Sequence, residues 1–110
     1  MNMFENETVE YWLGYNDFSV NGVLVRTEWH NGRVDHFDST GEYHREDGPA
    51  LMDADARFWY RHGVLHRLDG PAITYHNSQH EYWVYGLKYT EDEFKILTFM
   101  MHRQAQNTCA

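Results

Sequence analysis

The chain of 110 residues contains eight histidines, and these are the first residues to test for chemistry. His62 and His66 are four residues apart, as are His76 and His80, which on a helix is the spacing of a shared metal site. A glycine interrupts the first pair and a predicted loop contains the second, so neither pair is expected on a helix. The single cysteine, Cys109, offers no thiolate set for structural zinc. We therefore predict no metal ligands and no cofactor.

The sequence contains no motif for nucleophilic catalysis. The chain lacks a Gly-x-Ser-x-Gly turn, a glycine-rich loop that could hold phosphate, and a cysteine paired with a catalytic histidine. Asp35 with Asp38, and Asp53 with Asp55, are acidic pairs in predicted loops, and two carboxylates are too few for a typical cation site. The sequence therefore predicts that the protein is not an enzyme and has no catalytic residues.

Two histidines and two arginines belong to an internal repeat. Residues 43–50 (YHREDGPA) match residues 65–72 (LHRLDGPA) at an offset of 22 residues. Residues that recur with a repeat usually build it, because a catalytic site needs one unique constellation. We predict that these residues stack neighbouring units and that each arginine pairs with the aspartate two residues later. This repeat ladder consists of His44, Arg45, Asp47, His66, Arg67 and Asp69.

The elements that must position the ladder follow from a weaker, longer pattern. Gly22, Gly41, Gly63 and Gly86 are 19, 22 and 23 residues apart, each with an aromatic residue four positions before it and an acid six positions after it. Glycine suits the tight turn of a β-hairpin. Residues 18–89 are therefore predicted to form about four hairpins, preceded by an N-terminal segment over residues 1–17. The fold class is mainly β, a single domain with an elongated antiparallel sheet and one C-terminal α-helix.

The C-terminal helix is predicted from a capping box. Thr90 occupies the N-cap position and Glu93 stands three residues on. The helix is expected to cover residues 90–104, followed by a frayed tail over residues 105–110. Its apolar residues spread too widely for one docking face. Either the helix sits in a groove, or part of it binds a partner or a second copy through Phe94, Leu97, Phe99, Met100 and Met101.

At the repeated residues the sequence resembles a known family. A Trp-Tyr pair, a glycine four residues after the tryptophan, and His-Arg-x-Asp-Gly-Pro-Ala are similar to the MORN-like repeats of phage, giant-virus and bacterial proteins. The resemblance is specific over residues 41–89 and weak over residues 18–40. It implies hairpins stacked into an elongated sheet, and a binding role without catalysis.

Charge and composition narrow the class of partner. Nine basic and 17 acidic residues give a net charge of −8, which excludes an ordinary duplex nucleic-acid binder. A candidate acidic patch lies within residues 35–55 and consists of Asp35, Asp38, Glu42, Glu46, Asp53 and Asp55. Aromatic residues make up 16% of the chain and are typical of protein interfaces. The candidate aromatic face consists of Trp29, Trp59, Tyr60, Trp83 and Tyr85.

Targeting signals are not evident in the sequence. No apolar run reaches the 18 or so residues of a membrane span, and the first residues are acidic rather than basic and apolar. With one cysteine, a disulfide framework is excluded. We expect a cytoplasmic protein, in the host cytoplasm if it is viral.

The leading functional hypothesis is a non-enzymatic MORN-like interaction module that binds a protein, with a phage-encoded inhibitor of a host or defence protein as its specific form. No direct contact with nucleic acid or membrane is expected, and a homodimer through the C-terminal helix is compatible with it. One alternative is an acidic DNA mimic that blocks a nucleic-acid-binding host protein. A second alternative is a sponge for a small anionic ligand or nucleotide, bound by the repeated histidines and arginines.

Overall fold

The computed structural model describes residues 7–107, and within this range the chain forms eleven strands and one helix. The elements are β1 (Glu7–Trp12), β2 (Tyr15–Val20), β3 (Val23–Trp29), β4 (Val34–His36), β5 (Leu51–Met52), β6 (Ala56–Phe58), β7 (Tyr60–Arg61), β8 (Val64–Leu65), β9 (Ile73–Tyr75), β10 (His80–Val84), β11 (Leu87–Tyr89) and α1 (Glu91–Asn107).

One large sheet dominates the architecture. Its nine strands pair in the order β1-β2-β3-β4-β5-β6-β9-β10-β11, and every pairing is antiparallel, while β7 and β8 form a separate two-stranded hairpin. The described part of the chain measures 46 × 39 × 21 Å. The predicted fold class, mainly β with hairpins in one antiparallel sheet and a single C-terminal helix, is confirmed.

Three of the four predicted glycine turns are two-residue hairpin turns. In each, a non-glycine residue and the following glycine both have positive φ, the backbone of a type I′ turn that matches the twist of paired strands. These turns are Asn21–Gly22, His62–Gly63 and Tyr85–Gly86. The fourth glycine, Gly41, lies in a longer loop closed by an isolated bridge between Phe37 and Tyr43.

The predicted N-terminal segment is incorrect for residues 7–17, because they belong to the sheet. β1 and β2 pair along their whole length, from Glu7 opposite Val20 to Trp12 opposite Tyr15. The turn between them uses Gly14, at φ 94°. Since Gly14 is outside the spacing that defines the repeats, the search for repeats did not detect this hairpin.

The helix begins as predicted but continues further. The Thr90 hydroxyl accepts a hydrogen bond from the Glu93 backbone N–H at 3.1 Å, and the Glu93 carboxylate accepts one from the Thr90 N–H at 2.8 Å. The helix ends at Asn107, so residues 105–107 of the predicted tail are helical and residues 108–110 lie outside the described residues. Glutamine and alanine after Arg103 are good helix formers, which explains the longer helix.

The core is thin and built from small side chains. Ala50 and Ala72, the last residues of the two repeat copies, are completely buried, and each donates its backbone N–H to a strand carbonyl. Phe94 anchors the helix to the sheet, with its ring centroid 4.6 Å from that of Tyr82. Within residues 7–107, no helix is long and apolar enough to cross a membrane.

Candidate binding groove between the repeats

Each repeat histidine binds the turn of the next hairpin. Nδ1 of His44 accepts a hydrogen bond from the backbone N–H of His62 at 3.0 Å, and Nδ1 of His66 accepts one from the N–H of Tyr85 at 2.9 Å. The rings also stack, with centroids 4.0 Å apart in the first pair and 4.1 Å in the second. Burial lowers the pKa of His66, and the charge of Arg61 lowers it further. His66 is therefore a neutral, structural acceptor at neutral pH.

Each repeat arginine folds back onto its own loop. Nε of Arg45 donates to Asp47 at 3.1 Å, and Nε of Arg67 donates to Asp69 at 2.8 Å, which is the pairing predicted from the repeat. Nη1 of Arg67 also donates to the Pro71 carbonyl at 3.1 Å, and Arg45 makes the equivalent bond. The Arg67 hydrogen bond holds the pKa of the Asp69 carboxyl below its usual range.

The glycine of Asp-Gly-Pro makes room for this arrangement. A Cβ at Gly48 would lie 3.2 Å from Cζ of Arg45, and a Cβ at Gly70 would lie 2.9 Å from Cζ of Arg67. Without a side chain, the loop backbone can approach the guanidinium closely. The motif is therefore a self-contained clamp in which histidine holds the next unit and arginine holds its own loop.

A groove of about 580 Å³ opens between the two clamps. Five of the six ladder residues line it, together with two residues of the predicted aromatic face and one of the predicted acidic patch. In the same order, these residues are Arg45, Asp47, His66, Arg67 and Asp69, then Trp59 and Tyr85, then Glu46. The structure thus brings members of three separately predicted sets into one site.

Aromatic rings form the floor and the rim of the groove. The Arg67 guanidinium lies 4.1 Å from the centroid of the Trp59 ring, in a cation–π contact. Tyr85 stacks on His66 but remains 67% exposed, and its φ is 48°. Large flat side chains beside fixed charges suit recognition of another molecule.

Arg61 and Leu68 also line the groove, and the sequence analysis missed both. Nη2 of Arg61 lies 3.1 Å from Oε2 of Glu46, which links the β7–β8 hairpin to the first clamp. Arg61 stands two residues after Trp59, and alternation along an extended chain places such residues on one face. This alternation could have predicted Arg61 as a groove residue. Leu68 occupies the variable position of the motif, so the repeat pattern gave no signal for it.

Opposite charges balance within the groove. Three arginines face three carboxylates, and the one lining histidine is neutral at neutral pH. Among residues 7–103, whose side chains the structure describes, every buried side-chain nitrogen and oxygen has a hydrogen-bond partner. In the same range, no group of three or more histidine, cysteine or acidic residues is arranged to hold a metal ion. The titratable side chains of the groove make hydrogen bonds or ion pairs within the protein. The arrangement can therefore recognise a surface that carries both charges.

The other members of the predicted aromatic face lie elsewhere. Trp29 donates its indole N–H to Asp35 and packs on Tyr15, with centroids 4.8 Å apart. Tyr60 packs on Tyr43. Trp83 donates to Glu81. The structure therefore does not bring these three side chains into the groove, because a neighbouring carboxylate or ring holds each of them elsewhere.

The predicted acidic patch is divided as well, because Asp35, Asp38 and Asp53 are each held by separate local hydrogen bonds. Asp35 is 3% exposed and accepts hydrogen bonds from the Trp29 indole and from Nε of Arg33. The Asp38 carboxylate accepts from the Thr40 hydroxyl and contacts the His62 ring, which holds the pKa of Asp38 well below its usual range. The structure therefore does not bring all six acids together on one exposed surface.

Loop geometry accounts for a third acid of that set. Asp53 accepts hydrogen bonds from the backbone N–H groups of Asp55 and Ala56, and so shapes the turn before β6. Glu42, Glu46 and Asp55 are exposed. Of these three, only Glu46 lines the groove.

The candidate partner helix presents two different sides. Phe94 is buried, and Leu97 and Met101 are half-buried. Phe99 and Met100 are exposed. Within the described residues, the sheet therefore covers only one side of α1, and of the two alternatives for this helix the groove that covers both sides is not observed.

Comparisons of this chain with protein-family models, with curated proteins and with solved structures found no match. The functional conclusion therefore depends on the geometry of the groove and on the chemistry of its lining.

Proposed function

We propose that this chain is a non-enzymatic MORN-like repeat module that binds a protein partner in the groove between its two clamps. The specific form that we propose is inhibition of a host or defence protein by a phage-encoded chain. The observation that carries the proposal is Tyr85, a large and mostly exposed ring in a backbone conformation that does not favour it.

The position of Tyr85 is costly for the fold alone. A positive φ disfavours a side chain with a Cβ by roughly 1–2 kcal/mol, and asparagine or glycine normally occupies such a turn position. Stacking on His66 recovers part of this cost but leaves two thirds of the ring exposed. Residues held in unfavourable backbone conformations cluster at functional sites. We infer that Tyr85 is an anchor for a partner.

The rest of the lining supports a protein rather than a single ion as the ligand. Trp59 and the Arg67 guanidinium form a preassembled floor, since their contact and the loop bonds already fix both side chains. Three arginines and three carboxylates also line the groove. Tyrosine, tryptophan and arginine are the side chains that dominate binding energy at interfaces. We expect the partner segment to carry both charges and at least one large apolar side chain.

The alternatives have weaker support. A DNA mimic needs carboxylates spaced along one face, whereas Asp35 is buried in β4 and Asp38 and Asp53 are bonded inside separate loops. A sponge for an anionic ligand would use the three arginines of the groove, but three carboxylates in the same groove offset their charge.

The test is an affinity capture with matched variants. The full chain is immobilised, bacterial lysate is applied at low and at high salt, and retained proteins are identified by mass spectrometry. Tyr85→Asn removes the ring and keeps a residue that tolerates positive φ. Arg61→Ala removes an exposed charge of the groove, and Asp55→Asn is the control, because Asp55 is exposed and outside the groove. Circular dichroism checks that each variant is folded.

We expect one protein to be retained through high salt by the wild type and by Asp55→Asn, and lost with both groove variants. Equal retention by all variants would show that the groove is not the site. A nucleic-acid-binding protein that is released by salt would favour the DNA mimic. If no protein is retained, the protein-binding proposal fails, and titration with nucleotides tests the sponge.

A further inference from the structure

The helix α1 has two apolar sides. At 100° per residue, Phe94, Leu97 and Met101 lie on one side, and they are the residues that face the sheet. Ile96, Phe99 and Met100 lie on the opposite side, where their exposed fractions are 62%, 64% and 62%. Three large apolar side chains exposed together on one helix face mark an interaction surface.

Charged residues complete this outer face in a particular order. Asp92 in the first turn and Arg103 near the other end project on the same side of α1 as Ile96 and Phe99, and both charged residues are exposed. The outer face therefore has an acid at its start, apolar residues in its middle and a base at its end.

We propose that the outer face of α1 pairs antiparallel with the same face of a second copy of this chain. The register that places Asp92 opposite Arg103 of the second copy also places Ile96 opposite Phe99 of that copy. A twofold axis between the helices repeats both contacts, so the face is complementary to itself. Parallel pairing would instead oppose two aspartates and two arginines.

This order of residues selects a second copy over a foreign helix. A foreign partner requires complementary charge on its own surface and places no constraint on how charge is ordered along α1. A twofold interface requires opposite charges at equal distances from the axis, and Asp92 and Arg103 satisfy that requirement. The face is small compared with the roughly 800 Å² that each partner buries in a standard interface. The dimer should therefore form reversibly as concentration rises.

The experiment is analytical ultracentrifugation of the full chain at concentrations up to about 1 mM, where even weak association populates the dimer. A reducing buffer prevents Cys109 from cross-linking two chains. Phe99→Glu puts a charge in the centre of the outer face. Leu13→Glu is the matched control, because Leu13 is fully exposed at the tip of the first hairpin. Circular dichroism verifies that both variants are folded.

We expect the wild type and Leu13→Glu to dimerise and Phe99→Glu to remain monomeric. The single charge reversals Asp92→Lys and Arg103→Glu should each raise the dissociation constant about threefold to tenfold, and the two together should restore it. A wild type that is monomeric throughout, or a dimer that survives Phe99→Glu, would overturn the proposal. Failure of the double variant to recover would reject the antiparallel register.

Discussion

Replacement of His66 by alanine should destabilise the protein much more than the same replacement of His44. The two histidines occupy equivalent positions in the repeat, and each accepts a backbone N–H of the next hairpin. They differ in their surroundings. The bond to Tyr85 is partly buried, whereas the bond to His62 is exposed to solvent. The comparison therefore tests mainly the effect of burial on one kind of hydrogen bond, and it includes the additional contact of His44 Nε2 with Glu46 Oε1 at 3.0 Å.

The expected magnitudes follow from the two environments. In His66→Ala, the Tyr85 N–H loses its acceptor where water has limited access, which costs about 1–3 kcal/mol. The lost ring contact adds roughly 0.5–1.5 kcal/mol, for a total of about 1.5–4.5 kcal/mol. In His44→Ala, water can replace the acceptor, so that loss should be near 1 kcal/mol. The lost contact with the His62 ring adds a similar term of roughly 0.5–1.5 kcal/mol, so the expected difference between the two variants comes from burial of the hydrogen bond. At about 4–8 °C per kcal/mol, the difference in Tm between the two variants is readily measured.

Urea and thermal unfolding, followed by tryptophan fluorescence, measure both variants against the wild type. His66→Asn is a useful third variant, because the Asn side-chain oxygen can take the place of Nδ1 as acceptor. It should recover about half of the loss, since the ring contact remains absent. Equal destabilisation by the two alanine variants, or no recovery with asparagine, would refute the assignment of His66 as a buried acceptor for the next hairpin.

Two further predictions concern pH and the turns. Because burial lowers the pKa values of His66 and His36 below the ordinary histidine value of 6.5, the unfolded chain binds protons before the folded one does as pH falls. The free energy of unfolding should be highest above pH 6.5 and decline below it, and urea titrations that show no decline would contradict this. Gly63→Ala should be more destabilising than Gly22→Ala in thermal unfolding. Both glycines have positive φ, so both variants share the backbone strain. A Cβ at Gly63 would also lie 2.6 Å from Glu42 Oε2, whereas a Cβ at Gly22 would have no atom within 4 Å. Adding Glu42→Ala to Gly63→Ala should remove the additional destabilisation relative to Gly22→Ala. If that additional destabilisation remains, another contact is responsible for it.

The repeat pattern predicted contacts as well as elements. It placed an aromatic residue four positions before each glycine, an arginine four positions after the first three glycines and an acid six positions after each. In the first unit, Arg26 lies 3.8 Å from the centroid of the Phe18 ring and donates to Glu28 at 2.9 Å. This weakly matching first unit therefore keeps the arginine contacts of the unit that contains Arg67, because the same hairpin geometry brings these positions together.

Surface properties were harder to predict from the sequence. Asp35 and Glu46 are both acidic residues within one charged stretch, yet Asp35 is buried under Trp29 and Arg33 while Glu46 is exposed in the groove. The composition does not distinguish these two acids. The hydrogen bonds that bury Asp35 and leave Glu46 exposed depend on which hairpins become neighbours in the fold. The groove was missed as a site for the same reason, since it exists only between two repeat copies.

The clamp also explains where the array of hairpins stops. Four positions after Gly86, where the earlier units have arginine, stands Thr90, and there the chain starts α1 instead of folding back. The array of hairpins therefore ends at the position where threonine replaces the arginine. The clamp residues bind their own loop and the turn of the next hairpin. A duplicated unit of about 22 residues would therefore contain the residues that bind it to the next hairpin. Gene duplication could lengthen such a protein without redesign of its core, and each added junction would create another groove whose variable residues can diverge.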